Sequence, residues 1–312
     1  MINSILITGI GGDIGYGISK IVKEEGATHI YGTDIHDFHC GYKTCEKCFI
    51  VPSVTGENYI EEMQKIINEN EIEILIPGSH IEIEYFQTNN IQFENVKIIM
   101  CDNNTFLTFN DKYLTYQFLK NNNLPFPKTF KINEININDI KLPCVLKKSM
   151  SRGNKNVFII QDNEELIYFY NKYKNDIYII QEYIDCDDEY TCCIFRTTNI
   201  NKHIIIKREL ENGITKRGII INNKIISDLL TNISNKINLN GSINVQLRFK
   251  NEIPYIFEIN PRFSSTLVFR HMLNFKDVIW SIYDKLNIPI IDDILANENK
   301  RFFMLYEQYI LT

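Results

Sequence analysis

Apolar and polar positions follow two periods along the first hundred residues. Residues 2–8 form an apolar run that reads as a buried strand. The turn Gly9-Ile10-Gly11-Gly12-Asp13-Ile14-Gly15 follows, and then a helix running to about Glu25. Ile30–Asp34 reads as a second strand. From Tyr59 to Asn70 the apolar residues Ile60, Met63, Ile66 and Ile67 recur at helical spacing, which gives an amphipathic helix. Ile72–Pro77 and Val96–Met100 are the third and fourth strands. Strands alternating with helices predict an α/β fold with a parallel, doubly wound sheet.

The pattern then changes. A helical connector is predicted from Asn110 to Asn122, and Leu124-Pro125-Phe126-Pro127 marks a boundary because closely spaced prolines break helices. Residues 128–184 read as a small α+β module, with strands at 144–147, 157–160 and 178–181 and a helix near 163–174. Beyond 185 the chain is strand-rich and antiparallel in character, at 190–196, 203–208, 217–221, 243–249 and 254–260. A helix near 224–238 interrupts these strands, and 275–296 reads as helical. The expected organisation is a doubly wound domain over 1–108, a connector over 109–127, a small lid over 128–184 and a larger α+β unit over 185–312.

Composition narrows the function classes. The chain has 312 residues, 44% hydrophobic and 23% charged, which suits a soluble protein with a substantial core. A net charge of −6 argues against a general nucleic-acid binder while allowing a local basic pocket. No apolar run approaches membrane-spanning length, and Met1-Ile2-Asn3-Ser4 lacks the basic start of a secretory signal, so a cytoplasmic, non-membrane protein is expected. In that compartment the eight cysteines are expected as thiols. The abundance of Asn and Ile is read as compositional bias.

Chemistry concentrates near the end. Gln246 lies on one strand-like segment, and Glu258 and Asn260 on the next. Glu258 and Asn260 are two apart and so share a face. One carboxylate and two amide oxygens suit a hard cation such as Mg²⁺, or Mn²⁺, which is held by few protein oxygens together with phosphates. Arg262 adds a fixed positive charge, so the cluster points to phosphate chemistry. Upstream, Lys147 ends an apolar strand, where an unpaired buried ammonium is costly. The Ser149–Val157 stretch that follows could offer backbone N–H groups to an anion. Thr8-Gly9-x-x-Gly12-x-x-Gly15, with Asp34 on the next strand, also fits a dinucleotide turn. Tyr116-x-x-x-Lys120 and Tyr170/Lys174 imitate a dehydrogenase pair, so an NAD-dependent sugar-modifying enzyme is an alternative. His36, His39, Cys40, Cys45 and Cys48 form a cluster for which no stoichiometric zinc is expected, since a second Cys-x-x-Cys is absent. His203 and His271 are expected to be structural.

The run Glu258-Ile259-Asn260-Pro261-Arg262 after a Gln-bearing strand resembles the ATP-grasp enzymes, in particular the branch that includes the carbamoyl phosphate synthase large subunit. Asn110-Asp111-Lys112, Pro143-Cys144-Val145-Leu146-Lys147 and Gln181-Glu182-Tyr183-Ile184 resemble other marks of that family, in the same order. The resemblance implies a pre-ATP-grasp domain followed by one ATP-grasp unit, and a carboxylate–amine ligase acting through an acyl phosphate on amino-acid-like small molecules. It implies that Lys112, Lys147, Ser151 and Gly153 meet the ATP phosphates. Gln181, Glu182, Tyr183 and Ile184 would form the adenine hinge, and Glu189 would bind ribose. Arg208 and Arg262 would act on the transferring phosphoryl group, with Lys207 and Arg217 as further cations. Gln246, Glu258 and Asn260 would hold the metal. The implied partners are a carboxylate and an amine, with a homodimer allowed. A non-catalytic ATP-binding regulator of the same fold is the second alternative; its mark would be a lost metal ligand.

Overall fold

The computed structural model describes residues 3–150, 156–186, 188–211, 213–291, 299–305 and 310. The first unit comprises β1 (Ser4–Thr8), α1 (Asp13–Glu24), β2 (His29–Asp34), β3 (Lys47–Ile50), α2 (Tyr59–Glu69), β4 (Ile74–Pro77), α3 (His80–Thr88) and β5 (Lys97–Ile98). Its sheet has the order β3-β2-β1-β4-β5, with every pairing parallel. All five residues of β1 are buried, as expected of a strand covered on both faces. The strand order reverses between β1 and β4, so the loops at their carboxyl ends flank the crevice where doubly wound sheets bind ligands.

Two helices, α4 (Asn103–Phe109) and α5 (Lys112–Asn121), lead to the small unit. Strands β6 (Thr129–Lys131), β7 (Cys144–Lys148), β8 (Val157–Ile160) and β9 (Tyr178–Glu182), with helix α6 (Asn163–Tyr173) between β8 and β9, form an antiparallel sheet ordered β6-β9-β7-β8. The third sheet is also antiparallel, ordered β14-β13-β10-β11-β12-β15. It contains β10 (Glu189–Arg196), β11 (Asn201–Glu211), β12 (Ile214–Ile220), β13 (Gly241–Lys250), β14 (Ile253–Asn260) and β15 (Arg301–Phe303). Helix α7 (Lys224–Ile237) packs on it through Ile226, Leu230 and Ile233.

The helix expected over 275–296 is shorter: α9 (Asp277–Leu286) stops at Asn287, whose left-handed φ of 55° caps it, and a short helix that was not expected, α8 (Leu267–Met272), precedes it. Residues 292–298 lie outside the described residues. Both helices return to the first sheet: Leu267, Val278, Ile279 and Ile282 share a core with Ile5, Ile7, Ile18 and Val22. No helix among the described residues is long and apolar enough to cross a membrane.

Candidate active site

The three sheets converge on a cavity of about 720 Å³. Its walls carry Lys112, Lys147, Arg208, Arg248 and Arg262, set against Asp13, Glu182, Glu189 and Glu258. Gly12 and Gly78, from the carboxyl-end loops of β1 and β4, and Ile14, from the first turn of α1, close one side. Of the expected site residues, Lys112, Lys147, Gln181, Glu182, Tyr183, Ile184, Glu189, Arg208, Gln246, Glu258, Asn260 and Arg262 all line this space. Ser151 and Gly153 lie outside the described residues.

Strand pairing builds the acidic centre. β13 and β14 place Gln246 opposite Glu258 and Asn244 opposite Asn260, with a register shift just beyond Gln246. Glu258 Oε1 stands 3.6 Å from Lys112 Nζ. Desolvation opposes ionisation of Glu258, but Lys112, Lys147, Arg262 and Arg208 outweigh it and hold the carboxyl below its ordinary range. Gln246 Oε1 accepts from Arg208 (2.9 Å), and Asn260 Oδ1 lies 3.4 Å from Arg262 Nη2. One carboxylate with two amide oxygens is a sparse donor set, and among the described residues no group of three His, Cys, Asp or Glu side chains could hold a metal by itself. Such a set fits Mg²⁺ shared with phosphate oxygens and does not fit a metal caged by protein alone.

Lys147 is buried at the end of β7. Its ammonium donates to Gln181 Oε1 (2.9 Å) and to the Phe257 carbonyl (3.0 Å). Desolvation pushes its pKa down to about 8, with Glu258 opposing the shift and Lys112 adding to it. Lys112 is carried on the first turn of α5. Asp111 caps that turn, accepting from the Tyr113 and Leu114 amides and from Ser149 Oγ at 2.6 Å. The Lys112 amide in turn donates to the Ser149 carbonyl (3.0 Å), which ties the helix to the strand that bears Lys147.

Glu189 is shared by two guanidinium groups. Oε1 accepts from Arg208 (2.7 and 3.2 Å), and Oε2 from Arg248 (3.2 and 3.3 Å). Arg248 also donates to the Ile184 carbonyl (2.8 Å) and lies over the Tyr183 ring at 4.9 Å. The Glu182 amide donates to the Lys128 carbonyl (2.8 Å). Lys207 turns away from the cavity to Asp188 (2.5 Å), and Arg217 is exposed beside Glu209. Neither joins the site.

The dinucleotide features are occupied otherwise. Asp34 accepts from the amides of Gly11 and Ile35, both at 2.8 Å, so its carboxylate ties the glycine turn together. Tyr116 packs edge-on against Phe126, with the Lys120 ammonium over its ring, and neither residue lines the cavity. In the cysteine–histidine cluster, His39 stacks on Tyr42, and the Cys45 thiol lies 4.0 Å from Thr44 Oγ1. His271 contacts Glu25 away from the site, and desolvation lowers the pKa of His203.

Sequence reasoning missed His80, Thr191, Thr215, Asn244, Arg248 and the Ser264–Thr266 turn. Arg248 lies two residues beyond Gln246, so strand alternation was a usable signal for it. Gly78-Ser79-His80 follows a parallel strand at the sheet's reversal, which also marks a ligand edge. Thr215 gave no signal; its buried hydroxyl has no partner among the described residues, and the residue lines the cavity.

Comparison with known proteins agrees with this geometry. An ATP-grasp domain model matches residues 109–266, and a PylC-like N-terminal domain model matches residues 5–101. The tyramine–L-glutamate ligase of Methanocaldococcus jannaschii is 26% identical over 235 residues, 68% of this chain and 68% of its own. The enzyme of the same name from Methanocaldococcus fervens is 25% identical over 238 residues, 74% and 72% respectively. Among solved structures, the ADP complex of an N5-carboxyaminoimidazole ribonucleotide synthetase superposes with a TM-score of 0.76 at 14% identity, over 96% of this chain and 80% of that one. The biotin carboxylase domain of a Hydrogenobacter thermophilus 2-oxoglutarate carboxylase gives 0.74 at 14% identity, over 92% and 70%. The ATP-grasp match spans about half of the chain and covers most of the residues that line the cavity; the chain belongs to the ATP-grasp family, as an ATP-dependent ligase with a single ATP-grasp unit.

Proposed function

We propose that this ligase joins an amino-acid carboxylate to a small amine through an acyl phosphate. The observation that carries the reading is the convergence of four cations, Lys112, Lys147, Arg208 and Arg262, on one carboxylate, Glu258, inside a single cavity. The named substrates of the methanogen relatives, tyramine and L-glutamate, supply the first pair to test.

Adenine would enter the hinge between the two ATP-grasp sheets. The Glu182 amide and the Ile184 carbonyl already have protein partners, so the Glu182 carbonyl and the Ile184 amide are assigned to the base edge. Glu189, oriented by Arg208 and Arg248, would accept from the ribose hydroxyls. Lys112 and Lys147 would hold the phosphates, and Ser151 and Gly153 would cover them. Gln246, Glu258 and Asn260 would hold Mg²⁺, which supplies charge neutralisation of the phosphates when bound.

A carboxylate oxygen attacks the γ-phosphorus, the bond to the β,γ-bridging oxygen breaks, and ADP leaves. The amine nitrogen then attacks the carbonyl carbon, the bond to the phosphorylated oxygen breaks, and phosphate departs as the nitrogen loses its proton. Arg262 and Arg208 face the negative charge that develops in both steps. This chemistry needs no protein nucleophile.

The test is ADP release over carboxylate and amine pairs, beginning with L-glutamate and tyramine, with mass spectrometry of the products. With an ¹⁸O-labelled carboxylate, one label is expected in the released phosphate. ADP formed with all the label kept in the organic product would show phosphoryl transfer to another group and overturn the ligase chemistry. Glu258→Gln should cut turnover by about two orders of magnitude or more, because metal-borne charge stabilisation is worth several kcal/mol. Wild-type turnover in that variant would remove Glu258 from the site.

A further inference from the structure

Arg262 reaches the cavity from the turn after β14, yet one of its anchors comes from the first domain. Its Nε donates to His80 Nδ1 at 3.2 Å. His80 Nε2 lies 2.8 Å from Asn110 Oδ1, and Asn110 Nδ2 lies 3.2 Å from Glu84 Oε1. Both ends of this chain have a fixed polarity. A guanidinium N–H can only donate, and an ionised carboxylate can only accept. The Asn110 amide therefore turns its NH₂ to Glu84 and its oxygen to His80. Nε2 must then carry the ring proton, and Nδ1 must be the acceptor. A neutral ring in this one tautomer satisfies these three links.

The remaining Arg262 contacts are local: Nη1 donates to the Phe263 carbonyl (2.9 Å), and Nη2 approaches Asn260 Oδ1 (3.4 Å). Both lie within two residues of Arg262 itself and move with its turn. His80 is the anchor from outside that turn. It opens α3 just beyond β4, its ring rests near Phe106 with centroids 6.3 Å apart, and Asn110 steadies it from the end of α4. Among the described residues three Arg262 N–H groups are thus directed at protein acceptors, and the other N–H bonds of Nη1 and Nη2 could serve a ligand.

We propose that His80 is a positioning residue for the ligase reaction: as the Nε2-protonated neutral ring, held by Asn110 and Glu84, it aims the Arg262 guanidinium at the reacting phosphoryl and carboxyl oxygens. The proposal rests on the reading of Arg262 given above. It makes the first domain a working part of the catalytic centre, because the aim of an arginine in the turn after β14 is set by the first residue of α3. An aiming role acts on turnover more than on nucleotide binding, since Arg262 matters most as charge develops.

Three variants separate aiming from packing. Asn at position 80 puts an amide oxygen near the place of Nδ1 and keeps an acceptor for Arg262. Gln reaches the place of Nε2, keeps the strut to Asn110 and leaves Arg262 Nε without its acceptor. In MgATP-dependent ADP release with L-glutamate and tyramine as the probe pair, or with whichever pair the wild type turns over, His80→Ala should lower kcat about ten- to a hundredfold with KM for MgATP nearly unchanged. His80→Asn should recover most of that loss, and His80→Gln should not. Recovery by Gln and not by Asn, or an unchanged kcat in His80→Ala, would overturn the proposal while leaving the ligase reading intact. A second measurement needs no turnover. Long-range ¹H–¹⁵N correlation on histidine-labelled wild-type protein, with His80 assigned by its absence in His80→Asn, should show protonation at Nε2 alone near pH 8. A ring protonated at Nδ1 would refute the proposal whatever the activity. Absence of ADP release by the wild type with every pair would instead count against the ligase reading, and the tautomer would still decide the relay.

Discussion

Lys147 keeps an ammonium in a place almost without water, beside Glu258 and Lys112. Burial holds its pKa near 8, whereas in the unfolded chain a lysine titrates near ~10.4. Between these values the unfolded state binds more protons than the folded one, so this residue makes stability rise with pH across that window. Below it, the buried charge opposes folding in full. Denaturant midpoints should therefore rise between pH 7.5 and 10 by an increment that Lys147→Met removes. Triphosphate beside the ammonium reverses the preference, so MgATP binding at pH 8.5 should take up a proton. Calorimetry in buffers of different ionisation enthalpy should show this uptake in the wild type and not in Lys147→Met. Lys147, Glu258, Asn260 and Arg262 were legible in the sequence because each puts charge or amide oxygens where an apolar strand offers no bland explanation. His80 and Thr191 were not, because their importance lies in what they touch: Asn110 and Arg262 for one, Asn244 (2.8 Å) for the other. Those partners are 30, 182 and 53 residues away.

At the scale of elements, helix α5 is a lever between two sheets. Its cap, Asp111, also receives Ser149 Oγ, so one carboxylate fixes both the helix start that carries Lys112 and the strand end that follows Lys147. Asp111→Ala should cost about 0.5–2 kcal/mol of stability, the range for a lost N-cap. It should also raise KM for MgATP, since Lys112 loses its fixed base; urea unfolding and initial-rate kinetics would measure the two effects. Most strands and long helices were readable from period alone. Helix α3 was not, because His80-Ile81-Glu82-Ile83-Glu84-Tyr85 alternates as a strand would. Glu82 breaks that reading: it points inward, accepting from Thr8 Oγ1 (2.7 Å) and from the Tyr59 hydroxyl. Desolvation raises its pKa, against the pull of those two hydrogen bonds. Strands β3, β6 and β15 were also missed; at three or four residues each, they lack the length for a period to show. The asparagines, read as bias, have a conformational use: among the described residues, ten of the twelve non-glycine residues at positive φ are Asn, including the caps of α7 and α9.

Within the whole molecule, a buried pair that no motif announced ties helices α8 and α9 to the third sheet. Arg270 and Asp277 are both 1% exposed and 2.9 Å apart. Asp277 also accepts from Ser242 (2.7 Å), and Arg270 donates to Ser264 and Thr266, both at 2.7 Å. The network thus sets the turn beyond Arg262 against β13. Arg270→Met should destabilise by about 3–5 kcal/mol, because it leaves a buried carboxylate without its cation. A double-mutant cycle with Asp277→Leu should show the paired change costing less than the sum of the single ones. The parallel and antiparallel character of the sheets could be anticipated from the order of elements. The return of α8 and α9 to the first sheet could not, because amphipathic helices do not say which surface receives them.

That return bears on how the protein is made. The first sheet leaves the ribosome long before Leu267, Val278, Ile279 and Ile282 exist, and these side chains complete the core around Ile5, Ile7, Ile18 and Val22. Until they arrive, the nascent domain carries an uncovered apolar face, and closing the sequence gap is a slow, long-range event. The first unit in the chain is therefore among the last to be finished. During synthesis its partly built sheet is the surface most in need of chaperone cover.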